Sequence, residues 1–251
     1  MQKVGLALSG GGVRGFFHIG FLKAIRERGI DIHIMSGTSA GAIAAVLYAA
    51  GIDEQTVVDR FPKHMRSLFF EPNLLWRSKF NPTTILRKYI EEFLLDVTFE
   101  KLKIPVKINA VNIATGDTEI FQEGDVIDAV MAASAVPGVF NSFHQNGNIY
   151  VDGGLTMNLP ASTIRYDCDI LIGITLLPFK DRVYTKLPSR RHLIQRSVDI
   201  YHKHNNRKEK DLCDIIISPK ALNNYPTFDT SNKNALFDLG YATGIKMDLD
   251  K

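Results

Sequence analysis

The sequence predicts one α/β domain built on a parallel-type central sheet with helices on both faces. Three observations carry this reading. Short apolar runs end in glycine-rich turns and pass at once into stretches of helical spacing, and this happens twice before Gly51. Two strand–turn–helix units in a row imply parallel strands joined by right-handed crossovers. The chain of 251 residues, 45% apolar and 23% charged, suffices for a full core and lies far from the composition of a disordered polypeptide.

The elements follow in order. Val4–Leu8 is a short apolar run stopped by Ser9-Gly10-Gly11-Gly12, a buried strand entering a tight turn. Residues 16–28 place Phe17, Phe21 and Ile25 on one helical stripe, with Gly29 as C-cap. Residues 31–35 read as a second strand and 40–50 as a small-residue helix closed by Gly51. Further strands are expected at 106–111, 118–121, 170–176 and 215–218, and helices at 53–66, 83–95, 125–135, 189–210 and 234–246. No repeat, low-complexity tract or linker divides the chain, so one domain is expected over 1–251, with its motifs in about 4–176 and a helical C-terminal region in about 180–251.

The net charge of +3 is too small to argue for nucleic acid. Cys168 and Cys213 have no metal-ligand spacing and suit a reducing compartment; neither a metal nor a cofactor is expected. One Lys precedes the first apolar run, which Ser9 and the glycines interrupt, so it does not read as a signal peptide. The longest apolar stretch, 40–51, is about 12 residues and too short to cross a bilayer. A cytoplasmic protein is expected, with any membrane contact peripheral.

Gly10-Gly11-Gly12-Val13-Arg14-Gly15 satisfies G-x-G-x-x-G between a strand and a helix, the context of a dinucleotide site. Such a site needs an acid at the end of the second strand, whereas Asp31 stands at its beginning. No G-K-[ST] closes the turn as in a phosphate loop. A glycine turn at a helix N-terminus also presents free N–H groups and a positive dipole end to any anionic oxygen, a developing oxyanion included. Arg14 would be a fixed cation at its edge. A nucleotide- or lipid-binding module without turnover remains the rival reading.

Gly37-x-Ser39-x-Gly41 falls where the second strand meets the second helix. A sharp turn there would expose the Ser39 hydroxyl above the sheet, the flanking glycines leaving room for strained backbone; Ser39 as a helix N-cap is the plainer alternative. A nucleophilic serine needs a base, usually histidine. Of seven histidines, only His192, His202 and His204 follow the best acid candidate, and they lie in a basic helical stretch suited to solvated surface. The acid candidate is Asp152, which ends an apolar run in Asp152-Gly153-Gly154.

The ordered combination resembles the patatin-like phospholipases: the glycine turn with Arg14, Gly37-x-Ser39-x-Gly41, Ala133-Ser134-Ala135-Val136-Pro137, Asp152-Gly153-Gly154, and Asn158 with Pro160. The resemblance spans about residues 4–176 and implies the family's α/β/α sandwich and a Ser–Asp dyad without catalytic histidine. It assigns Ser39 as nucleophile, Asp152 as proton acceptor, Gly10, Gly11 and Gly12 as oxyanion donors, and Arg14 beside them. The substrate it implies is a phospholipid or another acyl-ester lipid.

Residues 61–80 mix Phe69, Phe70, Leu74, Leu75 and Trp76 with Lys63, Arg66, Arg77 and Lys79, suited either to a lipid interface or to a cap on the core. Residues 180–210 are strongly basic and read either as a solvated helix face or as a surface for phospholipid headgroups.

Overall fold

Val4–Leu8 (β1) is buried along its whole length and lies between two parallel neighbours, Ile32–Gly37 (β2) and Ile170–Ile174 (β7), in a computed structural model that describes residues 2–62 and 81–248. Ile215–Ile217 (β8) extends this row beyond β7, and Val106–Asn112 (β3) extends it beyond β2, both in parallel. Burial on both faces explains why these strands read as continuous apolar runs and not as alternating ones. Thr118–Phe121 (β4) and Asn148–Asp152 (β6) run antiparallel to β3, and Phe143–Gln145 (β5) pairs with β6.

The register on β3 positions the site. Ile108 is paired with both Gly37 and Phe121, and Ala110 with both Glu119 and Asp152. A strand residue has one partner on each side, so β4 takes one edge of β3 while β2 and β6 share the other, end to end. The C-terminal tip of β2 and the C-terminal tip of β6 therefore converge.

The helices are Phe16–Glu27 (α1), Ala40–Ala49 (α2), Glu54–Arg60 (α3), Pro82–Leu94 (α4), Val126–Ala133 (α5), Arg190–Asp211 (α6) and Lys233–Lys246 (α7). Asp53, Asn81, Asp125 and Ser189 cap four of them by accepting from backbone N–H groups of the first turn. The expected helix over 53–66 stops at Arg60, because Pro62 pushes Phe61 into extended backbone, with φ −59° and ψ 127°. Residues 63–66, and with them nearly all of the aromatic-basic stretch at 61–80, lie outside the described residues. The strand expected to end at 35 runs on to Gly37, held by Ala7 and Leu8 of β1.

Alternate residues of β1 separate the two faces. Leu6 and Leu8 join the larger core beneath α1, α2, α4, α5 and α7, whereas Ala7 joins Ile34, Leu171, Leu159 and Ile164 in a smaller cluster. Short 3-10 turns over 161–167 and the C-terminal end of α6 cover that second face, where Ser162 is bonded to Glu209. The sheet is thus sandwiched unequally, thick on one side and thin on the other. On the thick side α7 lies directly on α1: a Cβ on Gly240 would stand 2.0 Å from the Phe17 carbonyl oxygen, and one on Gly20 would stand 1.9 Å from that of Phe237.

Candidate active site

Ser39 occupies the corner between β2 and α2 with φ 53° and ψ −122°, a left-handed conformation that costs a non-glycine residue roughly 1–3 kcal/mol. The surroundings over-determine it. A Cβ on Gly41 would lie 2.1 Å from the Leu8 carbonyl oxygen, and one on Gly37 would lie 2.6 Å from the backbone of Ala42. Both glycines let the corner close tightly. Ser39 is nearly buried, and its hydroxyl looks into a cavity of about 1260 Å³.

Asp152 ends β6, and its N–H donates to the Ala135 carbonyl at 3.0 Å, so the Ala133–Pro137 segment fixes its backbone. Oδ1 accepts from the Gly154 N–H at 2.7 Å. Oδ2 is buried without a hydrogen-bond partner of ordinary geometry, although the carboxylate lies close enough to the Ser39 hydroxyl for that contact to favour its ionised form. Contacts of this kind are often loose before substrate binds. Burial dominates and pushes the Asp152 carboxyl up to about 6; Ser39 and the Gly154 N–H oppose it only in part.

Asn109 of β3 ties the two corners together. Its Oδ1 accepts from Thr38 Oγ1 at 2.5 Å, and its Nδ2 donates to the carbonyls of Met157 and Gly153 at 2.9 and 3.3 Å. Gly153 is packed so closely on Asn109 that a Cβ would stand 2.3 Å from the Asn109 carbonyl oxygen.

The glycine turn can be accounted for donor by donor. The N–H groups of Ser9, Gly10, Val13 and Arg14 donate to the carbonyls of Ile174, Asn158, Thr227 and Gly11. Among the described residues those of Gly11 and Gly12 have no carbonyl partner, and both glycines line the cavity. Gly10, expected to supply a third N–H, has already given it to Asn158. Its part is steric, since a Cβ there would meet Asn158 Oδ1 at 2.6 Å and Ser39 Cβ at 3.2 Å. Gly15 packs on Ala40, a Cβ there falling 2.8 Å from the Ala40 Cβ. Arg14 reaches the cavity wall, but its Nε and Nη1 donate to the carbonyls of Tyr225 and Leu176, both at 2.9 Å. It braces the turn against the C-terminal half of the chain.

Beneath the turn lies His18, fully buried, with Nε2 2.9 Å from the Ser9 carbonyl oxygen. Only an N–H can serve that oxygen, so the ring is the Nε2–H tautomer; burial depresses its pKa to about 4 and keeps it neutral. Ser9 Oγ in turn accepts from the Leu176 N–H and donates to Gly10 O. His18, Ser9 and Asn109 were given no role at the site by the sequence reading. Their signal was a polar residue inside an otherwise apolar strand or helix stripe, which by itself does not distinguish a support from a tolerated core position. Of the three later histidines, His202 lines the cavity with Ser39, and His192 and His204 do not. Among the described residues no group of three or more His, Cys, Asp or Glu side chains could hold a metal ion, and no helix is long and apolar enough to cross a membrane.

The α/β fold thus brings to one cavity a strained serine on a strand–helix corner, a buried carboxylate and two N–H groups without a carbonyl partner among the described residues. The family model for patatin-like phospholipases matches residues 6–164, and the chain belongs to that family. It is 32% identical over 182 residues to an uncharacterized NTE family protein of Mycobacterium bovis, covering 69% of this chain and 49% of that one. It is 25% identical over 276 residues to the lysophospholipase NTE1 of Kluyveromyces lactis, covering 97% of this chain and 19% of that one. The chain thus spans about half the length of the first relative and about a fifth of the second. Among solved structures it is similar to VipD from Legionella pneumophila, at 14% identity and a TM-score of 0.48, over 94% of this chain and 67% of that one.

Proposed function

We propose that this protein hydrolyses carboxylic esters of lipids, as a phospholipase A or lysophospholipase, through Ser39 and Asp152. The observation that carries the reading is a strained Ser39 beside a buried Asp152, both lining a cavity with an apolar wall, burial pushing the Asp152 carboxyl up to about 6. That wall is aromatic: Phe16, Phe61 and Tyr89 stand edge to face at 4.9 and 5.3 Å, with Ile43 and Leu86 nearby, and suits an acyl chain.

In this mechanism the Ser39 hydroxyl attacks the ester carbonyl while its proton passes to Asp152. The oxyanion accepts from the N–H groups of Gly11 and Gly12, where loss of one donor would cost ~3–4 kcal/mol of transition-state stabilisation. The alcohol leaves with the proton from Asp152; a water deprotonated by the same carboxylate then attacks the acyl-serine, and Asp152 returns that proton to Ser39 Oγ as the acid is released. His202 lies in the same cavity and would be the base of a triad variant. Hydrolysis of a chromogenic acyl ester decides between them. Ser39→Ala and Asp152→Asn should each lose at least ~10³-fold in kcat with folding retained, while His202→Gln keeps activity within a few-fold. A large loss in His202→Gln with activity surviving in Asp152→Asn would replace the dyad by a histidine mechanism.

A further inference from the structure

The cavity over Ser39 differs in chemistry from one end to the other, and the sheet order shows why. Ser39 and the glycine turn stand at the C-terminal ends of β2 and β1. On the β3 side are Phe16 of α1, Phe61 just past the end of α3 and Tyr89 of α4. On the β7 side the chain leaves Ile174 through the 177–182 loop and returns as α6, and here the cavity is lined by Lys180, Arg182 and Arg196.

These cations are placed by a built structure. Arg196 stacks on Phe179 at 4.0 Å and donates to the Lys180 carbonyl at 3.0 Å, which folds the loop back onto α6 and holds Lys180 and Arg182 at the cavity rim. Asp199, the acid of this wall, is 3.9 Å from Arg196 and close to the Arg14 guanidinium. Lys180 and Arg182 are exposed and make no ion pair among the described residues. The β7-side end thus carries an excess of positive charge facing an apolar wall, with Ser39 between.

We propose that Lys180, Arg182 and Arg196 form a subsite for the phosphate of a lipid headgroup, so that the preferred substrates are phosphate-bearing acyl lipids and not neutral glycerides. The proposal rests on the lipid-ester reading for its orientation. In a glycerophospholipid the acyl chain and the phosphate leave the ester carbonyl in opposite directions; with the carbonyl at Ser39 and the chain along Phe16, Phe61 and Tyr89, the phosphate falls on the β7 side. A phosphate is read there as charge by Lys180 and as a fork by the two guanidinium groups.

The test needs no turnover. 1-O-Octylglycerol 3-phosphate and 1-O-octylglycerol, ethers that no esterase cleaves, are titrated into the wild-type protein below their aggregation limits, which separates phosphate recognition from attraction to a lipid surface. The phosphate compound is expected to bind about tenfold more tightly, the preference shrinking as salt is raised. Lys180→Ala/Arg182→Ala should lose most of that preference, and Lys88→Ala, on the far surface of α4, should keep it. Equal affinity of the two ethers, or a preference undiminished in the double variant, would overturn the subsite. Neither result depends on whether Ser39→Ala abolishes ester hydrolysis, so the two readings can fail separately.

Discussion

Asp152 carries two opposed demands in one side chain. As a base it must be ionised, and burial resists ionisation by raising its carboxyl to about 6. The kcat/KM for an ester should therefore climb through a single limb near pH 6 as the proton leaves, a profile measurable on a chromogenic substrate between pH 4.5 and 8. The same shift has a stability consequence whose sign can be worked out. The folded protein holds this proton more tightly than the unfolded chain, so the carboxyl costs the fold nothing below about pH 4 and progressively more as pH rises through 6. Asp152→Asn should accordingly be more stable than wild type at pH 8, by about 3 kcal/mol from the size of the shift, with the gain vanishing near pH 4. Urea unfolding at the two pH values reads this directly, and equal stabilities at pH 8 would mean that the carboxylate is better solvated than its burial implies.

At the level of elements, the strand–turn–helix rhythm was legible because each strand ends where glycine must begin. Gly41 shows the physical reason: with 2.1 Å between its would-be Cβ and Leu8 O, α2 can start only if that residue has no side chain. Gly41→Ala is expected to cost about 3 kcal/mol in chemical denaturation, an overpacking against backbone that cannot yield. Ser39 and Asp152 were legible for the same reason, both standing at glycine turns. The apolar run ending at Asp152 was noted but not read as one arm of a hairpin, although Asn146-Gly147 is a strong two-residue turn signal; its partner Phe143–Gln145 is short and half-polar, so periodicity did not raise it. The supports were illegible because a polar residue in apolar surroundings does not say what it will bond to. Asn109 bonds to residues 71 and 44 positions away, a proximity that only the shared edge of β3 creates.

Across the whole molecule, the C-terminal third turned out to belong to the glycine turn. Sequence reading found nothing diagnostic beyond residue 180, and the family match ends at 164. Yet the carbonyls of Tyr225 and Thr227 hold Arg14 and the Val13 N–H, and α7 seats that segment by packing on α1 with near-contact of the two backbones. Arg28 adds bonds to the carbonyls of Gly244 and Met247 at 2.9 and 2.6 Å. Gly240→Val should part the two helices, lowering stability by about 3 kcal/mol and reducing ester hydrolysis, even though the substitution lies outside the family match. Hydrolysis unchanged in a measurably destabilised variant would show that the brace is structural alone.

The end-to-end sharing of one edge of β3 makes alignment itself a condition of chemistry. Asp152 reaches Ser39 only because β6 stops where it does along β3, with Asp152 opposite Ala110, its N–H held by the Ala135 carbonyl and Gly153 packed on Asn109. Sliding β6 by one residue would turn the carboxylate to the opposite face of the sheet. Sliding it by two would restore the face and displace the carboxylate by about 7 Å, with every ladder bond remade. A pairing of two backbones that touch no substrate thus works as a gauge, and a slip along it would leave each reactive group chemically intact and out of range.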